Sequence, residues 1–235
     1  MKGNSSKNIK AAITAVGGFV PNDFISNQDL EKVLDTTDEW ITTRTGIKKR
    51  RILKGEGKGT SYLAIKAAED VITKRNIDPD TIDLVIVATI TPDYKGAATA
   101  PSVASAIKAN NAYAFDLSAA CSGFLYGMST ATSYIESGRY KKVLLIGADK
   151  MSSVVDYTKR ETSILFGDGA GAVLVEPSKN EFGWEDEYLR SDGIGAEWLM
   201  VKGGGSMYPM TQEALDSGWH YITQDGKTVF KAAVS

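Results

Sequence analysis

Apolar positions recur along this chain with two different periods, and the alternation between them predicts its architecture. Leu84-Val85-Ile86-Val87-Ala88-Thr89 and Val143-Leu144-Leu145-Ile146-Gly147-Ala148 are nearly unbroken apolar runs. Runs of this kind predict strands covered on both faces, as in a parallel sheet flanked by helices. Ala11 to Val16 predicts a first strand, ended by Gly17-Gly18, and Ala112 to Leu117 another. Between Thr60 and Lys74 the apolar residues Leu63, Ala64, Ala67, Ala68, Val71 and Ile72 fall at helical spacing, with Lys66, Glu69, Asp70 and Lys74 outside. That pattern predicts an amphipathic helix, closed by Asp78-Pro79. A second helix is predicted from Ser102 to Asn110, after a loop punctuated by Pro92, Gly96 and Pro101. Ser26 and Asp29 resemble a capping box for a helix from Asp29 to about Leu34, and Thr37 to Ile41 opens a further short one. Strands alternate with helices, so the fold class is α/β, layered, with a mostly parallel sheet.

The pattern changes further along. Phe166-Gly167-Asp168-Gly169-Ala170-Gly171 invites a phosphate-loop reading, but a strand (Ala172 to Val175) follows it, and phosphate loops lead into a helix N-terminus. A structural glycine turn packed against another backbone is the stronger expectation. From Lys179 to Lys227 periodicity fades, and Trp184, Trp198, Trp219 and Gly203-Gly204-Gly205 suggest irregular lid or connector structure. Thr228 to Val234 reads as the start of a strand or a helix.

Composition adds limits. Hydrophobic residues at 43% and charged residues at 24% describe an ordinary globular protein with a real core. A net charge of −2 gives no electrostatic footprint for nucleic acid. No apolar run approaches the roughly 20 residues of a membrane span. A single cysteine leaves no partner for an internal disulfide and no cysteine-rich zinc site, so a reducing, cytoplasmic compartment fits. MKGNSSKNIK lacks the apolar core of a signal peptide, and residues 1–8 are expected to form a leader.

Two stretches carry candidate chemistry. Cys121 follows the strand-like run Ala112 to Leu117 and precedes a helical pattern of small and apolar residues (Phe124, Leu125, Met128, Ala131, Tyr134, Ile135). Strand, tight turn, cysteine and helix form the setting of a nucleophile elbow. Free N–H groups and the dipole at a helix start favour a thiolate. The bland alternative is a buried packing cysteine, but the small residues around Cys121 leave room for a substrate. In the second stretch, Trp40 precedes Arg44 and Lys48-Lys49-Arg50-Arg51. Spacing alone leaves two readings open: a solvated basic turn, or a nucleotide site with Trp40 stacking a base and Arg44 holding a phosphate. His220 is the only histidine. It is read as a loop histidine, since nothing in the sequence places it near a nucleophile.

Taken together, Asp38-Glu39-Trp40-Ile41 with Arg44-Thr45-Gly46-Ile47, Phe115-Asp116-Leu117-Ser118-Ala119-Ala120-Cys121-Ser122-Gly123-Phe124, Phe166 to Ala172, and Val229-Phe230-Lys231 resemble the β-ketoacyl-[acyl-carrier-protein] synthase III family. The resemblance implies a thiolase-like fold of two similar α/β halves. Residues 9–178 would be the first half, 179–228 a connector or lid, and 229–235 the start of a largely absent second half. It implies Cys121 as nucleophile, Trp40 as the residue stacking on CoA adenine, Arg44 as a CoA-phosphate contact and Arg160 as a second arginine near the adenine. It implies an acyltransferase of fatty-acid initiation that condenses acetyl-CoA or another acyl-CoA with malonyl-acyl-carrier protein. CoA would enter as part of the substrate, with no separate cofactor or metal, and the enzyme would be a homodimer. The family's catalytic histidine and asparagine fall beyond Ser235, so this chain alone is expected not to condense. Ala100 stands where many relatives carry a phenylalanine at the acyl pocket. The alternatives are a condensing enzyme of secondary metabolism or of long-chain acyl units, and a non-catalytic CoA-binding fragment.

Overall fold

The computed structural model describes residues 9–180 and 182–234, so the leader expected at 1–8 lies outside the described residues. In chain order the elements are β1 (Ala11–Phe19), β2 (Phe24–Ser26), α1 (Asn27–Glu31), α2 (Asp38–Thr45), β3 (Lys49–Arg51), α3 (Thr60–Arg75), β4 (Leu84–Ala88), α4 (Thr99–Ala106), β5 (Tyr113–Leu117), α5 (Gly123–Glu136), β6 (Val143–Lys150), α6 (Arg160–Ser163), β7 (Asp168–Pro177), β8 (Leu199–Val201), α7 (Gln212–Asp216), β9 (Ile222–Gln224) and α8 (Gly226–Val234). They fall into two compact units, each drawn from three separate stretches. One holds the chain up to Val20, Gly55–Asp149 and Gly169–Leu189; the other holds Pro21–Lys54, Lys150–Asp168 and the chain from Arg190.

The first unit is a five-stranded sheet in the order β1-β7-β6-β4-β5, with helices on both faces. Side chains alternate along the buried strands. Val85, Val87, Leu144 and Ile146 face a core shared with α3 and α4, while Leu84, Ile86, Val143 and Leu145 face one shared with α5. This is why β4 and β6 read as continuous apolar runs: both faces are dry. β4 pairs in parallel with β5 and with β6, but β1 lies antiparallel to β7, so the sheet is mixed rather than mostly parallel.

Three boundaries differ from the sequence reading. Gly17 and Gly18 do not end β1, which runs on to Phe19. A Cβ at Gly17 would lie 2.7 Å from the Val71 amide nitrogen and 2.8 Å from the Ala67 carbonyl oxygen, so the glycine lets the strand press onto α3. Pro101 does not precede α4 but sits in its first turn, where a missing N–H costs nothing. Gly169 and Gly171 lie within β7, which starts at Asp168, so they form strand rather than turn.

The second unit contains the small antiparallel pairs β2–β3 and β8–β9. Its helices are short. α1 carries the expected capping box, with Ser26 and Asp29 bonding each other's backbone N–H, but it stops at Glu31. The Asp29 carboxyl is held down at about 2, chiefly by its hydrogen bond from the Ser26 side chain. α8 resolves the open strand-or-helix reading in favour of helix.

Candidate functional site

The cysteine turn is built from the sheet outward. β5 ends at Leu117, a short 3-10 turn covers Ala120–Ser122, and α5 begins at Gly123. Cys121 is exposed, which removes the packing-cysteine reading. Ala120, immediately before it, has φ of 46°. A non-glycine residue in the left-handed region is strained, and such residues cluster where a side chain must be presented on a bend. α5 can start this close to the sheet because its contact face is small. A Cβ on Gly123 would come 3.3 Å from the Ala88 Cβ, and one on Gly127 would collide with Leu145 Cδ1.

Carboxylates brace the loops around this end of the sheet. Asp116, on β5, accepts from the backbone N–H groups of Thr99 and Ala100, both at 2.7 Å, and so caps α4 from outside the helix. Asp149, near the end of β6, accepts from the Thr89 and Thr91 hydroxyls and from the Ile90 amide, each at 2.9 Å. Sequence reasoning quoted Asp116 only as part of a motif and missed Asp149. Both act on partners far away in the chain, which no local pattern encodes.

In the second unit, α2 follows the local rules closely. Thr37 caps it by accepting from the Trp40 amide, Asp38 and Glu39 occupy the first turn and Arg44 the last, and Gly46 closes it at φ of 71°. Arg44 lies one turn after Trp40, so its guanidinium rests over the indole, 4.3 Å from the ring centroid. Arg160, the first residue of α6, lies over the same ring at 4.9 Å, with Nη1 donating to the Asp35 carbonyl at 2.9 Å. The structure therefore brings Trp40, Arg44 and Arg160 together. Cys121 stands in the first unit, at the head of α5.

A groove of about 460 Å³ opens beside this cluster, lined by Trp40, Arg160, Gln224, Val229 and Phe230 among others. The Gln224 Oε1 is buried without a hydrogen-bond partner among the described residues. Gln224 carries no signal in the sequence, whereas Val229 and Phe230 of the Val229-Phe230-Lys231 motif stand on the groove's α8 wall. His220 packs on Tyr221, with 4.0 Å between ring centroids. Asp168 is a buried carboxylate that accepts from the Leu53 amide, the Ser152 amide and the Ser152 hydroxyl, each at 2.7 Å. A Cβ on Gly167 would stand 3.0 Å from the Arg51 backbone, so this glycine marks a close approach of backbones, as the structural reading expected.

A layered α/β sheet that ends in a strained turn, with an exposed thiol at a helix head, has the strand–turn–helix arrangement of a nucleophile elbow. Residues 115–193 match the family model described as 3-oxoacyl-[acyl-carrier-protein (ACP)] synthase III. The β-ketoacyl-[acyl-carrier-protein] synthase III of Chlorobaculum tepidum is 55% identical over 228 residues, covering 96% of this chain and 69% of the relative. The crystal structure of the 3-oxoacyl-[acyl-carrier-protein] synthase III from Aquifex aeolicus superposes with a TM-score of 0.83 at 41% identity, over 94% of this chain and 67% of that one. The priming β-ketosynthase of the R1128 polyketide pathway superposes at 0.86 with 32% identity, over 100% of this chain and 69% of that one. The chain belongs to the β-ketoacyl-[acyl-carrier-protein] synthase III family, whose fold is thiolase-like. It is a condensing enzyme, an acyltransferase that acts at the initiation of fatty-acid synthesis.

Proposed function

We propose that Cys121 is the residue acylated in this condensation, that acyl-CoA is the donor, and that Trp40, Arg44 and Arg160 hold the nucleotide end of CoA. The observation that carries the reading is the exposed thiol placed directly after the strained Ala120 at the head of α5. In this reading the Cys121 thiolate attacks the thioester carbonyl carbon of acetyl-CoA. A new S–C bond forms as the bond to the CoA sulfur breaks, and CoA leaves as its thiol after taking a proton. The step that follows in the family, carried out with its histidine and asparagine, is loss of carbon dioxide from malonyl-acyl-carrier protein, after which the electron pair left on the α-carbon attacks the acyl-Cys carbonyl. The carbon–carbon bond forms, the ketoacyl chain leaves on the carrier protein, and the cysteine thiolate is regenerated.

The indole cluster supports the CoA assignment. An adenine stacks on an indole with ring centroids about 4.5–7 Å apart. Arg160, now at 4.9 Å, occupies that range and is a cation ready to meet phosphate once displaced. A homodimer belongs to the same reading, with β5, one of the two edge strands of the sheet, available for pairing. The test is to mix the protein with labelled acetyl-CoA, quench with acid and map the label by peptide mass spectrometry. Label on the Cys121 peptide, absent from Cys121→Ser, supports the reading; label elsewhere or none overturns it.

A second reading has an observation of its own. The R1128 priming ketosynthase superposes along the whole chain, and Ala100 is a small, fully buried residue in the first turn of α4. A donor longer than acetyl-CoA is the outcome that favours it. Rates of Cys121 acylation across acyl-CoA chain lengths decide between the two.

A further inference from the structure

Among the described residues Arg50 is the largest side chain that is fully buried, and it is a cation. No carboxylate bonds to it directly among the described residues; its hydrogen-bond partners are neutral, and the charge of Asp38 stands one bond further on, behind Asn27. Nε and Nη2 both donate to the Ile164 carbonyl, at 2.9 and 2.6 Å. Nη1 donates to the Asn27 side-chain oxygen. Asn27, also fully buried, passes the connection on, its Nδ2 donating to Asp38 Oδ1 at 2.6 Å and to the Ile47 carbonyl at 2.9 Å, with Thr42 Oγ1 at 3.3 Å.

The ends of this chain of bonds matter. Asp38 and Thr42 are on α2, which carries Trp40 and Arg44. Ile164 is the C-cap of α6, four residues after Arg160. A four-residue helix holds little position by itself, so the fork on the Ile164 carbonyl and the Arg160 bond to Asp35 fix where α6 lies. Burying a guanidinium with neutral partners is expensive compared with an apolar residue of similar volume. Packing alone does not call for it, whereas a planar fork that spans two segments at a set distance does.

We infer that Asn27 and Arg50 are positioning residues, a buried strut that sets the spacing of α2 and α6 and thereby of the Trp40–Arg160 pair that grips the nucleotide end of CoA. The inference rests on the CoA reading of that pair. It assigns a role in affinity for the nucleotide and none at the reacting thiol.

The test uses calorimetry with two probes, CoA and adenosine 3′,5′-bisphosphate, together with the rate at which iodoacetamide alkylates Cys121. Arg50→Met is expected to weaken both probes about tenfold, Arg50→Lys to restore part of the loss, and alkylation to stay unchanged. Asn27→Ser keeps the fork on Ile164 but cuts the link to α2, and it is expected to act in the same direction; it serves alone if Arg50→Met does not fold. Unchanged affinity for the bisphosphate in the folded variants overturns the strut, as does a parallel loss of Cys121 reactivity. Trp40→Ala separates the two layers of the argument. If it leaves CoA affinity unchanged, the grip itself falls and the strut's role with it. If it weakens CoA while Arg50→Met and Asn27→Ser do not, only the strut falls.

Discussion

Replacing the Cys121 sulfur by hydrogen or oxygen removes the one group proposed to carry the acyl chain. Cys121→Ala is expected to lower acyl-enzyme formation at least about a thousandfold and to leave CoA affinity in place, since the proposed nucleotide contacts come from other residues. Quench-flow with labelled acetyl-CoA and calorimetry read the two effects separately. For Trp40→Ala the expectation is the reverse: loss of a base–indole stack costs about 1–3 kcal/mol of binding. Tyr157 gives a pH signature. Its phenol is pushed up to about 12, first by burial and then by the charge of Asp168. A raised folded-state value means that the folded protein holds this proton more tightly than the unfolded chain. The resulting stability is complete below pH about 10 and is lost as pH rises towards 12. Denaturant midpoints of the unsubstituted protein are expected to fall across that window while those of Tyr157→Phe, which has no phenol to ionise, do not fall with them, so the two separate at high pH.

At the scale of elements, legibility in the sequence tracked how local the cause was. α2 announces its start through Thr37 and the acidic first turn, so its opening is legible, whereas its run on to Thr45 goes beyond the Thr37 to Ile41 stretch expected. β4 and the Val143 to Ile146 part of β6 were legible because burial on both faces leaves no polar positions there. α4 was placed three residues late, because its start is fixed by Asp116 across the sheet and Pro101 fits a first turn as readily as a loop. Asp116→Asn keeps the shape and removes the charge from two helix N–H groups; it is expected to cost about 1–2 kcal/mol in urea denaturation. The seat of α5 allows a stronger test. Gly127→Val forces side-chain carbons into Leu145, and overpacking of this kind costs about 1–3 kcal/mol or more. Thermal melts check it, with Ser129→Ala on the same helix as control.

At the scale of the whole molecule, the alternation of strand and helix was enough to call the layered α/β class and, with four motifs, the family. The grouping of the second unit was not legible. Its core joins Leu30 and Ile41 to Ile164, and Asp168 accepts from the Leu53 amide, contacts that each span more than a hundred residues. Periodicity reports what a residue faces but not which distant segment faces it. Trp40 and Arg160 illustrate the point: Trp40 with Arg44 left a ligand site open and Arg160 came only from the family resemblance, while the meeting of Trp40 and Arg160 depends on tertiary packing. Light scattering is expected to give the mass of two chains, as the homodimer reading requires.

Ala120 also poses a problem of compromise. Holding a non-glycine residue at φ of 46° costs about 1–2 kcal/mol, whereas glycine tolerates that angle but loosens the unfolded chain by about 0.4–1 kcal/mol. Ala120→Gly is therefore expected to raise the melting temperature slightly while letting the thiol wander, and so to acylate more slowly. A protein engineer selecting this enzyme for heat resistance alone would tend to recover that substitution and, with it, a sturdier and duller catalyst.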